Sequence, residues 1–191
     1  MKLILLCVVC LGWTSDAAAA EPVSGRVAQA ELSDTSGIGL QLVRGLSDKD
    51  RATIKALFPL IEQQTGTKAK FNGALAYAPD EGLVSEALQG AFNFHTVDAA
   101  DTAAIAACGA AKRATSGACQ VAARILPPEY QRRSLSLSLH ATRGFFDRYT
   151  PAAGAKVFAI SRSTGAWAMA PSPGGALGPA LRTQKAQTIA R

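Results

Sequence analysis

The sequence predicts an α+β fold, an antiparallel sheet with helices mainly on one face, built around a β-β-α-β unit. Three observations lead to this prediction. Short segments in which every second residue is apolar are bounded by turn residues. An alanine-rich helical segment lies between two of these runs, and a later segment repeats the first run in degenerate form. We expect the α+β domain to span residues 68–191.

Residues 1–20 have the pattern of a cleaved signal peptide. One lysine precedes an apolar run from Leu3 to Trp13, which is shorter than the ~20 residues of a membrane-spanning helix. Ala18 and Ala20 fit the small-residue pattern that signal peptidase cleaves. We therefore expect an extracytoplasmic protein, periplasmic or secreted, with cleavage near Ala20 and no transmembrane segment in the mature chain.

Residues 21–67 are predicted to form an N-terminal arm followed by a helix. The first half of this segment contains several glycines and no sustained period. Ser47 then suits a helix N-cap, and the apolar stripe that follows starts at Ile54. Pro59 is expected to kink or shorten this helix, and Gly66 to end it.

The β-β-α-β unit occupies the next part of the chain. A buried strand is predicted over Phe71–Pro79, and a second strand, with alternating apolar and polar residues, over Val84–Phe94. An alanine-rich apolar stripe from Val97 to Cys108 predicts a helix. Alternation returns in Cys119–Ile125, which predicts the closing strand.

The rest of the chain predicts a further strand and a second, degenerate copy of the unit. Leucines and serines alternate over residues 134–139, which is typical of a strand. Residues 155–170 can be laid on the first strand and turn with Gly165 over Gly82. A helix-like tail over residues 180–190 takes the place of the earlier helix. Chance similarity explains the match equally well.

Two cysteines remain after removal of the signal peptide, Cys108 and Cys119. An even pair in an oxidising compartment predicts one disulfide bond. The alternative is a pair of buried free thiols. No metal site is predicted, because two thiols and distant histidines do not have zinc-ligand spacing.

Charge is distributed unevenly along the chain. Residues 21–111 hold 7 Lys/Arg and 11 Asp/Glu, a balance of −4, whereas residues 112–191 hold 12 and 2, a balance of +10. A basic half of this kind suits an anionic envelope polymer or another polyanion, although scattered solvated arginines would have the same composition. The candidate anion-binding residues are Arg124, Arg132, Arg133, Arg143 and Arg148.

Catalytic motifs are sparse. The two histidines are His95, three residues before Asp98, and His140 at the end of a predicted strand. No serine lies in a G-x-S-x-G elbow, and no complete phosphate loop or dinucleotide fingerprint is present, so no cofactor is predicted.

The leading functional hypothesis is therefore a non-catalytic interaction module that binds an anionic envelope polymer or a protein partner. The first alternative is a small extracytoplasmic hydrolase that uses His95 or His140. The second is an inhibitor or accessory subunit that binds one protein partner through an exposed apolar patch.

Residues Phe71 to Ile125 also resemble a family of small exported bacterial proteins, the domain-of-unknown-function family 4189. The resemblance rests on the strand Gly73–Tyr77, an alanine-rich helix ending at Cys108, and a return strand that opens with Cys119. The second strand departs from the family pattern, since it lacks richness in glycine, tryptophan and tyrosine. The resemblance implies export, an α+β unit and one disulfide bond, and it brings no catalytic residues.

Overall fold

The computed structural model describes residues 22–65, 70–171 and 186–190. Its helices are α1 (Gly25–Glu31), α2 (Asp48–Thr65), α3 (Val97–Ala111) and α4 (Leu139–Gly144), and α4 runs on into a π-helical turn (Phe145–Tyr149). Its strands are β1 (Val23–Ser24), β2 (Gly39–Leu42), β3 (Gly73–Tyr77), β4 (Gln89–Ala91), β5 (Gln120–Leu126), β6 (Lys156–Ser161), β7 (Trp167–Pro171) and β8 (Ala186–Ala190). These strands form two four-stranded sheets, and the predicted α+β class is confirmed.

The first sheet has the strand order β2-β5-β3-β4, with every neighbouring pair antiparallel. All five residues of β3 are buried, because both of its faces are covered. Leu75 and Tyr77 pack in one core with Ile54 of α2, whereas Ala74 and Ala76 pack against α3 on the other face. Helices therefore cover both faces of this sheet. On the second sheet, the described helices lie on one face, as predicted.

Helix α3 forms where the sequence predicts it. The hydroxyl of Thr96 accepts a hydrogen bond from the backbone N–H of Ala99 at 3.1 Å, which caps the first turn. The face that meets β3 is made almost entirely of small side chains, so the helix can lie close to the sheet. Its buried residues are Val97, Ala100, Ala104 and Cys108. Ile105, on the edge of the predicted stripe, is 39% exposed.

Strand β5 departs from the predicted alternation at a β-bulge. Leu75 pairs with Ala123, but Ala76 pairs with Val121, so Ala122 is an extra residue on β5. The bulge lets Val121 pack against α3, while Ala123 joins the core beneath α2. Simple alternation over this strand could not indicate the bulge, because the residues around it are all small or apolar.

The hairpin that begins with β3 has a shorter second strand than predicted. Pairing is limited to Gln89–Ala91, and Val84, which was expected to point inward, is 82% exposed. The chain before β4 consists largely of turns, with Gly82 at a φ of 76°. A left-handed φ of this kind favours glycine.

The second sheet is arranged like the first, except that its edge strand β1 pairs with β8 in parallel, whereas β2 pairs with β5 antiparallel. Its order is β1-β8-β6-β7, in which β6 is paired with its hairpin partner β7 on one side and with β8 on the other, both antiparallel. This matches the positions of β3, β4 and β5. The prediction of a helix over residues 180–190 is wrong for the described residues 186–190, which form a strand. An alanine-rich tail has no strong period, so pairing with β6 decides its conformation.

An aromatic core fills the helix-covered face of the second sheet. Phe158 of β6 stacks on Trp167 of β7 with ring centroids 4.9 Å apart. Phe145 and Tyr149 of the π-helical turn stack on each other, also at 4.9 Å, and meet Phe158 edge to face. Ala28 of α1 belongs to the same buried cluster. Residues from α1 and from α4 and its continuation therefore share one core.

Two further predictions are corrected by the structure. The serine–leucine segment 134–139 is not a strand. Leu135 and Leu137 are buried in the aromatic core, but the segment has no ladder partner, and Ser138 instead caps α4. The segment before α2 is not a loose arm, because β1 pairs with β8 and β2 pairs with β5. Short strands with mixed composition give no periodic signal.

Helix α2 begins as predicted and ends later than its proline suggested. The hydroxyl of Ser47 accepts a hydrogen bond from the backbone N–H of Asp50 at 3.1 Å. Pro59 lies inside the helix, which continues to Thr65. The predicted signal peptide, residues 1–20, lies outside the described residues. Among the described helices, none is long and apolar enough to cross a membrane.

Candidate functional site

The two sheets meet around the short segment that connects β4 to α3. The backbone N–H of His95 donates to the carbonyl of Thr164 in the β6–β7 turn at 3.0 Å. A side chain on Gly165 would place its Cβ 1.7 Å from the carbonyl oxygen of Asn93, so the turn can dock only with glycine at this position. Leu139, the first residue of α4, donates its N–H to the carbonyl of Phe71 at 3.0 Å.

His95 is a buried link at this junction. Its side chain is fully buried. Its Nδ1 accepts a hydrogen bond from the backbone N–H of Ser138 at 3.1 Å, and its Nε2 lies 2.8 Å from the carbonyl oxygen of Ala166. A backbone N–H can only donate and a carbonyl can only accept, so the ring is the tautomer with hydrogen on Nε2.

His95 is therefore committed to structure on both ring nitrogens. Burial lowers the pKa of His95 below its usual value of 6.5, against the opposing effect of the Ala166 carbonyl. Asp98, three residues after His95, bonds to Arg132. A histidine without an available lone pair cannot act as a general base.

His140 lies on the exposed side of the same junction and is held by Asn93. The side-chain oxygen of Asn93 accepts the backbone N–H of His140 at 3.1 Å. This bond fixes the orientation of the amide, so its NH₂ group faces Nδ1 of the His140 ring at 3.3 Å. Nδ1 must then be unprotonated, which leaves Nε2–H as the group that His140 can offer to a ligand.

Two cations lie near this histidine. Burial, and then the positive charges of Lys70 and Arg143, lower the pKa of His140 below 6.5. Lys70 is placed by its own backbone, since its carbonyl accepts the N–H of Asn93 at 3.2 Å. We call the group formed by Lys70, Asn93, His140 and Arg143 the Asn93 surface. Within the described residues, neither of its two cations forms an ion pair with a carboxylate.

The other four predicted anion-binding arginines have different surroundings. Arg124 makes a bidentate contact with Asp101 of α3, with a shortest distance of 2.7 Å. Arg132 pairs with Asp98 at 3.0 Å in an exposed position. Arg133 donates to the carbonyls of Ala30 and Glu31 at the end of α1, and Arg148 lies 5.9 Å over the ring of Trp167. An anion-binding role for these four residues stays a prediction.

The charge asymmetry of the sequence is partly neutralised within the molecule. Three ion pairs in the described chain are Arg113–Glu81, Arg124–Asp101 and Arg132–Asp98. Each joins a base from the basic half to an acid from the acidic half. The exposed pair Arg132–Asp98 contributes little stability. All three pairs leave fewer basic side chains available to a partner.

Among the described residues, no serine, cysteine or carboxylate side chain is hydrogen-bonded to a ring nitrogen of either histidine. A cleft of about 680 Å³ lies between α1, the π-helical turn and the start of β6, and neither histidine lines it. Its walls include Arg26, Tyr149 and Lys156. Among the described residues, no group of three or more potential metal-binding side chains comes together.

The predicted disulfide bond is confirmed. It joins Cys108, at the buried face of α3, to Cys119, directly before β5, with their Cα atoms 6.2 Å apart. It therefore ties the end of the helix to the returning strand.

Apolar side chains with high exposure occur on three separate segments, at Val27, Leu60 and Val84. Binding of a protein partner through such a patch stays a prediction.

Sequence reasoning identified two members of the Asn93 surface, His140 and Arg143, but not Lys70 or Asn93. The surface joins residues from three distant parts of the chain, so no spacing motif connects them. Asn93 has a left-handed φ of 67°, a conformation that asparagine adopts more readily than most residues. No protein-family model matches the chain, and neither the curated proteins nor the solved structures contain a match.

Proposed function

We propose that this protein is an exported, non-catalytic interaction module that binds an anionic partner at the Asn93 surface. The observation that carries the proposal is the contrast between two sets of bases. Arg113, Arg124 and Arg132 are paired with carboxylates, whereas Lys70 and Arg143 lie together near His140 without a carboxylate partner in the described chain. Neighbouring cations that repel one another are relieved by an anion.

The absence of catalysis is supported by the state of the two histidines. Hydrolysis with histidine as general base requires a ring nitrogen with a free lone pair close to a nucleophile. Both nitrogens of His95 are bonded to backbone groups. His140 uses its Nδ1 lone pair to accept from Asn93.

Export is supported by the signal-peptide pattern and by the disulfide bond, which persists in oxidising compartments. We also propose that the segment from Phe71 to Ile125 is a divergent relative of the domain-of-unknown-function family 4189. The support for this relationship is the order of strand, hairpin, alanine-rich helix and return strand, with the disulfide at the helix end.

The test is retention of the mature, oxidised protein on an anionic polymer column over a salt gradient. The informative variant combines Lys70→Gln with Arg143→Gln. Its matched control combines Arg113→Gln with Arg132→Gln, which removes the same charge from bases that already have carboxylate partners. We expect the first variant to elute at clearly lower salt than the control, because each lost contact with the polymer reduces the salt dependence by roughly one counterion.

Equal shifts for the two double variants would contradict the proposal. They would mean that net charge alone, and not the Asn93 surface, determines retention. A circular dichroism spectrum of each variant confirms that the fold is retained, and all four substituted side chains are at least partly exposed.

A further inference from the structure

We propose that the Asn93 surface selects a phosphate monoester in its doubly charged form. This inference rests on the proposed function and names the class of anion that the surface takes. It follows from the hydrogen-bonding character of the groups that face outward, from their total charge, and from the constraint that Asn93 places on His140.

The outward groups of the surface are hydrogen-bond donors. Lys70 presents an ammonium group and Arg143 a guanidinium group, neither of which can accept. His140 presents Nε2–H, because the amide of Asn93 occupies Nδ1. A phosphate monoester dianion has three terminal oxygens that only accept, whereas its protonated form carries an O–H that would need an acceptor.

The charge of the surface favours a dianion over a monoanion. Lys70 and Arg143 contribute two positive charges, and His140 remains neutral near pH 7 because burial and these two cations oppose its protonation. A phosphate monoester carries close to two negative charges above its second pKa of about 6. Phosphodiesters, sulfate monoesters and carboxylates carry one, so they neutralise only half of the positive charge.

The amide of Asn93 also opposes protonation of His140. Protonation of His140 on Nδ1 would bring two donors face to face, the ring N–H and the amide NH₂, while the amide is held in place by the backbone N–H of His140. The charged groups that act on the ring, Lys70 and Arg143, oppose protonation as well. The affinity should therefore follow the ionisation of the phosphate and weaken as the pH falls. A surface with a titrating histidine would instead bind anions more tightly in acid.

The test is an NMR titration of the mature, oxidised protein that follows the ring resonances of His140. The ligands are glycerol 1-phosphate and methyl sulfate at about pH 7.5, and glycerol 1-phosphate again at about pH 5. We expect binding of the phosphate about fivefold tighter than binding of the sulfate, the ratio that one extra unit charge at about 4 Å gives in water. We also expect weaker phosphate binding at the lower pH.

Equal affinity for phosphate and sulfate, or tighter phosphate binding at the lower pH, would overturn the inference. If polymer retention still depended on Lys70 and Arg143, the proposed function would survive that result. If retention did not depend on them, both proposals would fail.

The variant Asn93→Gly tests the positioning role of the amide. Glycine accepts the left-handed backbone of this position, so the fold should be retained. Without the amide NH₂ against Nδ1, the pKa of His140 should rise, and phosphate binding should weaken less as the pH falls. A purely structural role for Asn93 would leave the pKa of His140 unchanged, and this result would overturn the inference.

Vesicles separate the two sources of a phosphate monoester. Phosphatidic acid presents a monoester on a lipid, and phosphatidylglycerol at matched surface charge presents a diester. Sedimentation with phosphatidic acid vesicles alone would support a lipid headgroup as the ligand. Binding of glycerol 1-phosphate without sedimentation would support a soluble phosphate. If the protein bound neither phosphatidic acid vesicles nor glycerol 1-phosphate, the inference would be overturned.

Discussion

At the scale of single residues, two histidines that each follow a predicted strand have different roles. His95 is fully buried and connects α3, the segment before α4 and the β6–β7 turn through two ring hydrogen bonds. His140 is exposed and has its ring hydrogen on Nε2. The backbone groups around each ring decide the difference, and these groups come from segments that are far apart in sequence.

His95 makes the stability of the protein dependent on pH. Its pKa is lower in the folded protein than its usual value of 6.5, so below about pH 6.5 the unfolded chain takes up a proton that the folded chain does not. The free energy of unfolding should therefore be unaffected by this group above pH 7 and should decrease as the pH falls below 6.5, by at most about 1.4 kcal/mol per pH unit. Urea unfolding between about pH 5 and pH 8 measures this slope.

The variant His95→Gln removes the titrating ring and should flatten this dependence. His140→Gln is the matched control, because its pKa is also lowered but its ring is mostly exposed. If the free energy of unfolding changed with pH in the same way for the wild type and for His95→Gln, whatever their absolute stability, His95 would not be the source of the pH dependence.

At the scale of secondary-structure elements, local signals identified α3 and β3 but not every strand. Thr96, the alanine face and the apolar run of β3 are properties of short segments. The serine–leucine segment 134–139 shows the opposite case, in which a clean alternation does not form a strand. Ser138 caps α4 and donates its N–H to His95, so no neighbouring strand can pair with it there.

Two glycines should respond to alanine in opposite ways. Gly109 lies inside α3 with open space around its Cβ position, so Gly109→Ala should raise the free energy of unfolding by about 0.5–1 kcal/mol. The alanine side chain of Gly165→Ala would clash with the Asn93 carbonyl. This variant should lower the free energy of unfolding by about 1–3 kcal/mol or more. Chemical unfolding of both variants measures these changes. A neutral Gly165→Ala would mean that the β6–β7 turn does not dock on Asn93.

At the scale of the whole molecule, two sheets of similar strand order share a junction, and one disulfide bond stabilises the first. The bond closes a loop between residues 11 apart in sequence. In the chain-entropy estimate, closure of a loop of this size contributes about 2–3 kcal/mol.

The double variant Cys108→Ala with Cys119→Ala should therefore unfold at a lower denaturant concentration, with a loss of about 2–3 kcal/mol or more because Cys108 is buried. Addition of reductant to the wild type should give a similar loss, and reductant should have no effect on the variant. An unchanged midpoint in both experiments would show that the helix end and β5 are held together without the bond.

The sequence by itself determined the α+β class, the central strand β3, the capped alanine helix and the cysteine pair. These features depend on composition and on periods within short segments, where each residue contacts neighbours close in sequence. Only the tertiary structure decided the partners of β1, β2 and β8, the pairing of the acidic half with the basic half, and the Asn93 surface. The physical reason is that a hydrogen bond or an ion pair between distant segments leaves no trace in local spacing. His140 meets Lys70 and Asn93 only because the two sheets dock on one another.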